Sequence, residues 1–138
     1  MRRYAALSGR FFVYVNQVGG NDELVFEGHS IVVDPSGIVV VRARDFAEDL
    51  LVCEVPIDGE GEVAGELREV AECEEEEALR ALELGLRDYL AKCGFNQVVL
   101  GLSGGIDSAL TAAIAARAIG AGNVLGVALP TRYSSDHS

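Results

Sequence analysis

The sequence predicts an α/β chain in two parts, a run of β-hairpins followed by the opening of a doubly wound parallel sheet. Three observations carry that reading. Short β-branched runs fill residues 11–55 and are broken by turn formers, Asp34-Pro35-Ser36-Gly37 above all. Apolar residues recur at spacings of three and four over Glu75 to Cys93, the period of a helix with one covered face. Finally, Gln97 to Ser108, Gln-Val-Val-Leu-Gly-Leu-Ser-Gly-Gly-Ile-Asp-Ser, passes from an apolar stretch into a glycine pair ringed by hydroxyls and one carboxylate, which reads as strand, loop and helix start.

In chain order, Phe11 to Asn16, Leu24 to Glu27, Ser30 to Asp34 and Ile38 to Arg42 are the expected strands, with Leu50 to Val55 as one more. Asp34-Pro35-Ser36-Gly37 puts Pro, Ser and Gly where a tight hairpin turn needs them. Such hairpins have one apolar face and need a second layer to cover it. Pro56 to Gly65 has no hydrophobic period and contains Asp58-Gly59-Glu60-Gly61-Glu62, so an exposed connector is expected. The helix over Glu75 to Cys93 should bury Leu79, Leu82, Leu86, Tyr89 or Leu90, and Cys93. Glu76 with Arg80 and Glu83 with Arg87 are its i,i+4 pairs, and Gly94 is placed to end it. Ala109 to Ile119 is apolar nearly all round, as in a helix held between a sheet and a neighbour; Gly120 and Gly122 end it, and Asn123 to Leu129 is the next strand. Strand, helix, strand at this spacing is a βαβ unit with a right-handed crossover, whose ligands sit at the carboxyl ends of the strands.

The glycine pair lies at such an end. Consecutive glycines let backbone N–H groups approach an anion without interference from Cβ, and the following helix points its positive end at the same place. Ser103 and Ser108 add hydroxyls. Asp107 would repel a polyphosphate unless a divalent cation lay between them, so its natural partner is a nucleotide-bound Mg²⁺, and the expected ligand is a nucleoside triphosphate. A Walker loop needs Gly-Lys-Ser/Thr, which is absent here, and the dinucleotide fingerprint needs a third glycine at a spacing this loop lacks. A turn with no ligand is the plainer reading, and the flanking serines and Asp107 weigh against it.

Composition bounds the rest. Of 138 residues 49% are hydrophobic, enough for an ordinary core divided here between parts of two domains. Residues 1–55 carry a net charge of −3, residues 56–96 of −8 and residues 97–138 of 0, so the acidity marks the junction. Glu74 to Glu77 sit where a helix N-terminus favours negative charge. A total of −11 without a basic patch argues against a nucleic-acid backbone as partner. Cys53, Cys73 and Cys93 are an odd, widely spaced set and are read as reduced thiols. Arg10 interrupts any apolar core after Met1-Arg2-Arg3, and no targeting or membrane-spanning segment is visible.

Ser103-Gly104-Gly105-Ile106-Asp107-Ser108 resembles the pyrophosphatase loop of the N-type ATP pyrophosphatases. The stretch from Ala78 to Tyr89 before it, and Leu129-Pro130-Thr131-Arg132-Tyr133-Ser134-Ser135 after the next strand, are similar to NAD synthetases within that group. Tyr14 to Ser30, Tyr-Val-Asn-Gln-Val-Gly-Gly-Asn-Asp-Glu-Leu-Val-Phe-Glu-Gly-His-Ser, resembles the late part of the nitrilase-type amidase domain of the glutamine-dependent NAD synthetases. The resemblance implies that residues 1–55 end an αββα nitrilase-like sandwich, that 56–74 are an acidic connector, and that 75–138 begin a doubly wound ATP-pyrophosphatase domain. It implies a cytoplasmic, homo-oligomeric ligase with ATP and Mg²⁺ as cofactors. That ligase adenylates deamido-NAD and amidates it to NAD, with ammonia supplied by glutamine, and contacts neither nucleic acid nor membrane. The ATP site would comprise Gly101, Leu102, Ser103, Gly104, Gly105, Ile106, Asp107 and Ser108, together with Leu129 at the adenine face and Arg132 on a phosphate or carboxylate; Asp107 is the metal residue. Arg132 taken alone also reads as a solvated surface arginine.

The amidase triad of that family, a Glu, a Lys and a Cys, lies upstream of Asn16, where this sequence has fifteen residues without Lys or Cys, so no catalytic residue is assigned and an internal fragment is expected. Asn16, Gln17, Asn21 and His29 fall near the amidase site by resemblance, but polar residues at strand ends are ordinarily turn and edge chemistry. Two alternatives stay open: another amidotransferring ATP pyrophosphatase, GMP-synthetase-like, and a non-catalytic junction piece.

Overall fold

The computed structural model describes residues 1–58 and 61–128, in two compact units. The first comprises Met1–Gly19 and Val25–Glu76, the second Gly20–Leu24 and residues 77 onward.

In the first unit, helix α1 (Arg2–Ser8) precedes strand β1 (Phe12–Tyr14), and β4 (Ile31–Val33) and β5 (Val39–Arg42) complete a three-stranded antiparallel sheet in the order β1-β4-β5. Phe12 faces Val33 and Tyr14 faces Ile31, while the β4–β5 register shifts between Val32 and Val33. The shift accompanies the tight turn between the two strands. The Asp34 carboxylate accepts from Ser36 N–H at 2.9 Å, Ser36 Oγ at 2.7 Å and Ile38 N–H at 2.8 Å, and Gly37 takes the left-handed φ of 90° that the turn needs. The Ser36 hydroxyl first, then the Ile38 N–H and the other turn N–H groups, hold the Asp34 carboxyl below its ordinary value against an opposing desolvation. Ala5, Val32, Val33, Val41 and Ala43 are the buried residues of this unit. Continuous β-branched runs along β4 and β5 supply most of this core; α1, seven residues without a strong period, is not foreseeable from the sequence. A second hairpin joins β2 (Val18–Asn21) to β3 (Leu24–Glu27). Its first strand carries Gly19 and Gly20, which mask it from any propensity reading.

Leu50 to Val55 is not a strand. Leu50 is 85% and Val52 91% exposed, and the segment has no ladder partner, so burial that would reward extension is missing. The chain is next tied to the sheet at Arg42, which forms a parallel bridge with Leu67.

The second unit contains helix α2 (Glu74–Cys93) from residue 77, strand β6 (Val98–Leu102), helix α3 (Ile106–Ile119), a 3-10 turn (Ala121–Asn123) and strand β7 (Val124–Ala128). Strands β6 and β7 are parallel, in register from Val98 with Val124 to Leu102 with Ala128, so the chain crosses over through α3 as the βαβ pattern requires. Helix α2 ends at Gly94, φ 75°, where Phe95 N–H bonds Leu90 C=O at 2.8 Å. Its covered face differs from the expected stripe. Leu84 and Leu90 are buried, whereas Leu82, Tyr89 and Cys93 are exposed. Apolar residues occupy two faces of this helix, and periodicity alone does not rank them. Glu83, expected to pair with Arg87, bonds Arg117 Nε of α3 instead, because the tertiary partner is present on the covered side. The hairpin tip belongs to this unit: Gly20 N–H donates to the Asp88 carboxylate at 2.8 Å, and Lys92 donates to Gly20 C=O. A Cβ on Gly20 would lie 3.3 Å from Asp88 Cβ and 3.4 Å from Gly85 Cα, so glycine permits the approach.

Candidate functional site

Strand β6 delivers Gly101 and Leu102 to the loop, Ser103-Gly104-Gly105 turns the chain, and Ile106, Asp107 and Ser108 form the first turn of α3. Gly104 sits at φ 80°, a conformation that costs any other residue, while Gly105 is extended at φ −88° and ψ 161° and caps the helix. The two glycines therefore differ in reason. The first is required by the backbone; the second has open space around its Cα, with only Ser103 Oγ within reach of a Cβ, at 3.5 Å.

The serines brace the loop from inside. Ser108 Oγ donates to Gly105 C=O at 2.9 Å and accepts from Ser103 N–H at 3.3 Å, and the two hydroxyls lie 3.2 Å apart. Gly105 N–H reaches Ser103 Oγ at 3.4 Å, at the outer edge of a hydrogen bond. Thr111 Oγ1 donates back to Asp107 C=O at 2.9 Å, tightening the first turn. No side chain caps α3, so its first-turn N–H groups and its positive end meet whatever lies in front of the loop. Asp107 is in that turn and exposed. A single carboxylate beside uncapped helix N–H groups fits the way Mg²⁺ is ordinarily held, by one or two carboxylates plus phosphate oxygens. Among the described residues no three His, Cys, Asp or Glu side chains converge into an all-protein metal site.

Gly101 to Ser108 are thus brought together at the carboxyl end of β6, next to the end of β7 at Ala128. Leu129 and Arg132, the other two expected site residues, lie outside the described residues. In the first unit Asn16 and Gln17 are engaged in chain pairing: Asn16 N–H bonds Ser30 Oγ at 3.0 Å, and Gln17 C=O accepts Gly28 N–H at 3.0 Å. His29, at φ 51°, lines a polar cavity of about 290 Å³ with Asn16, Arg44 and Glu48, and its Nδ1 lies 2.7 Å from Asp45 Oδ1. Sequence reasoning missed Asp45, whose partners are set by a bridge to Gly28 that no local pattern announces. Among the described residues no helix is long and apolar enough to cross a membrane.

Comparison with known proteins places both units. The sequence profile of the family described as "Carbon-nitrogen hydrolase" matches residues 1–64, and that described as "NAD synthase" matches residues 78–138. A glutamine-dependent NAD(+) synthetase from Synechocystis is 50% identical over 127 residues, 91% of this chain and 23% of that protein. One from Aquifex aeolicus is 42% identical over 158 residues, 93% of this chain and 28% of that protein. The chain spans about a quarter of the length of the curated relatives it matches. Among solved structures, a glutamine-dependent NAD+ synthetase from Acinetobacter baumannii in complex with ADP superposes with a TM-score of 0.88 at 41% identity, covering 98% of this chain and 26% of that one.

Proposed function

Because this chain belongs to the family of glutamine-dependent NAD(+) synthetases, we propose that its Ser103–Ser108 loop binds the phosphates of ATP in an NAD-forming ligase. The reaction is adenylyl transfer: the nicotinate carboxylate of deamido-NAD attacks the α-phosphorus, pyrophosphate leaves, and ammonia derived from glutamine converts the acyl-adenylate to the amide of NAD with release of AMP. Residues 1–55 end the glutamine-hydrolysing domain, 56–74 connect, and 75–138 begin the adenylating domain of an enzyme that acts as a homo-oligomer. The thiols of Cys53, Cys73 and Cys93, all unpaired with one another, fit a reducing cytoplasm.

The observation that carries this reading is the uncapped N-terminus of α3 behind a loop that glycine leaves open. Backbone N–H groups there grip the β- and γ-phosphates as a unit, which stabilises pyrophosphate as it leaves and makes the α-phosphorus the electrophile. Ser103 and Ser108 hold the loop in shape before the nucleotide arrives, so little reorganisation is needed on binding. Asp107 is the residue that would hold Mg²⁺. Bound there, Mg²⁺ supplies charge neutralisation on the bridging and leaving oxygens. Gly101, Leu102 and Ile106 shape the loop floor, with Leu129 at the adenine and Arg132 on a phosphate or carboxylate. A GMP-synthetase-like enzyme would share the loop, but the carbon-nitrogen hydrolase match over residues 1–64 speaks for glutamine-dependent NAD synthesis.

The test is deamido-NAD-dependent pyrophosphate release from ATP and Mg²⁺ in the protein as its gene encodes it, with Asp107→Asn alongside. Asp107 is exposed, so the variant should fold as the wild type does while pyrophosphate release is lost. Wild-type turnover in Asp107→Asn would overturn the assignment.

A further inference from the structure

The first unit holds a polar cavity of about 290 Å³ that the nucleotide reading does not use. Three chain segments build its floor. Gly28 N–H donates to Gln17 C=O at 3.0 Å, His29 N–H to Arg44 C=O at 3.3 Å, Ala43 N–H to Ser30 C=O at 2.8 Å and Phe46 N–H to Glu27 C=O at 2.7 Å. That floor is strained, because His29 at φ 51° and Phe46 at φ 53° are left-handed although neither is glycine. Such residues persist only where the surrounding structure holds them, and they gather at ligand sites. His29 is held by its ring. Its Nδ1 lies 2.7 Å from Asp45 Oδ1, an oxygen with no other partner among the described residues, on a carboxylate only 6% exposed whose Oδ2 accepts Ala71 N–H at 3.2 Å. The second ring nitrogen, Nε2, is left to the cavity that His29 lines.

The polar groups around the cavity fall into two sets. Ser30 and Asp49 are engaged: Ser30 Oγ accepts Asn16 N–H at 3.0 Å, and the Asp49 carboxylate accepts Arg44 N–H at 3.2 Å, Leu50 N–H at 2.9 Å and the Arg68 Nε–H at 3.2 Å. The side chains of Asn16, Arg44 and Glu48 have no hydrogen bond or ion pair among the described residues. Arg44 and Glu48 are of opposite charge and line one cavity, yet they do not pair, whereas Arg68 of the same unit pairs with both Glu66 and Asp49. The unused groups are thus one cation, one anion, one amide and one imidazole nitrogen.

A free α-amino acid carries the complementary set, a carboxylate for a guanidinium and an ammonium for a carboxylate. We propose that this cavity binds a free α-amino acid with an uncharged side chain, its carboxylate on Arg44 and its ammonium on Glu48. The volume takes such a ligand and is too small for a nucleotide. The unused charges sum to zero, so the second carboxylate of glutamate has no cation to meet, while the amide of glutamine has Asn16 and His29 Nε2. That glutamine is the amino acid at hand rests on the NAD synthetase reading; the two-charge headgroup does not.

The experiment is calorimetric titration of the protein as its gene encodes it with L-alanine, which presents the headgroup alone, with propionate and ethylammonium, its two halves, and with L-glutamine and L-glutamate. Arg44→Gln and Glu48→Gln are the first variants. Both residues are exposed, so both variants should fold, as thermal unfolding by circular dichroism checks. The expected result is saturable alanine binding that weakens about 10- to 150-fold in each variant as one charge-assisted bond is lost. Neither half should bind alone over the same concentrations, and glutamine should bind more tightly than glutamate. His29→Asn keeps a residue that tolerates φ 51° and removes Nε2, so it should weaken glutamine and leave alanine unchanged. No alanine binding, undiminished binding in either folded variant, or propionate held as tightly as alanine overturns the headgroup assignment. Glutamate bound more tightly than glutamine, or equal loss of alanine and glutamine in His29→Asn, overturns the side-chain assignment. A protein that binds alanine in this way and makes no NAD overturns the functional reading alone.

Discussion

Replacing Gly104 and Gly105 by alanine, one at a time, separates what the backbone requires from what a nucleotide requires. Gly104 lies at φ 80°, where an L-residue pays about 1–2 kcal/mol, so Gly104→Ala should lower the melting temperature by several degrees. Gly105 lies at φ −88° and ψ 161°, open to any residue, and its added methyl would meet Ser103 Oγ at an ordinary 3.5 Å. There the substitution stiffens the unfolded chain by about 0.4–1 kcal/mol, which offsets the preference for glycine over alanine at a helix N-cap, so the net change in stability should be small. On the proposed reading its methyl would enter the space in which the phosphates approach the α3 N-terminus. Losing one hydrogen bond to a charged phosphate is worth roughly 1.5–3 kcal/mol, or about 10- to 150-fold in affinity. Thermal unfolding followed by circular dichroism and calorimetric titration with ATP and Mg²⁺ give the two readouts. Gly105→Ala should be fully stable and bind poorly. A Gly105→Ala protein with wild-type affinity would refute the phosphate cradle.

Two further outcomes follow from the packing. Asp88→Ala removes the carboxylate that accepts Gly20 N–H at 2.8 Å, a part-buried, charge-assisted bond, and should cost about 1–2 kcal/mol in denaturant unfolding; an unshifted midpoint would show that the bond contributes nothing. The Asp34 carboxyl is held below its ordinary value of 3.8 by the Ser36 hydroxyl first and the Ile38, Ser36 and Gly37 N–H groups, against an opposing desolvation. A group depressed on folding contributes stability that is complete above the unfolded value and is lost as pH falls through the folded one. Stability should therefore decline as pH drops below about 3.8, and Asp34→Asn should flatten that part of the profile, measured as the urea midpoint against pH. An identical acid slope in the variant would remove Asp34 from the account.

The strand, glycine loop and helix of the second unit follow from residues 97–119 alone, because each piece is built from neighbours in sequence: a β-branched run, two glycines, then an apolar stretch ending at Gly120. The Asp34–Gly37 turn is legible for the same reason, its bonds spanning at most four residues. What the sequence could not rank was the choice among equally apolar surfaces. Leu82 and Tyr89 look as buriable as Leu84 and Leu90, and only contact with the rest of the fold decides between them. Leu50 to Val55 has strand propensity but finds no partner, and extension unrewarded by a ladder does not persist. Residues 66–71, a mixed stretch with no strand alternation, are ordered by groups more than twenty residues away in Arg42 and Asp45, and Glu83 chooses Arg117 over Arg87 across 34 positions. Local hydrogen bonds and backbone conformation can be read from the order of residues; which face is covered, which carboxylate meets which cation and where a connector is pinned depend on distances that exist only once the chain has folded.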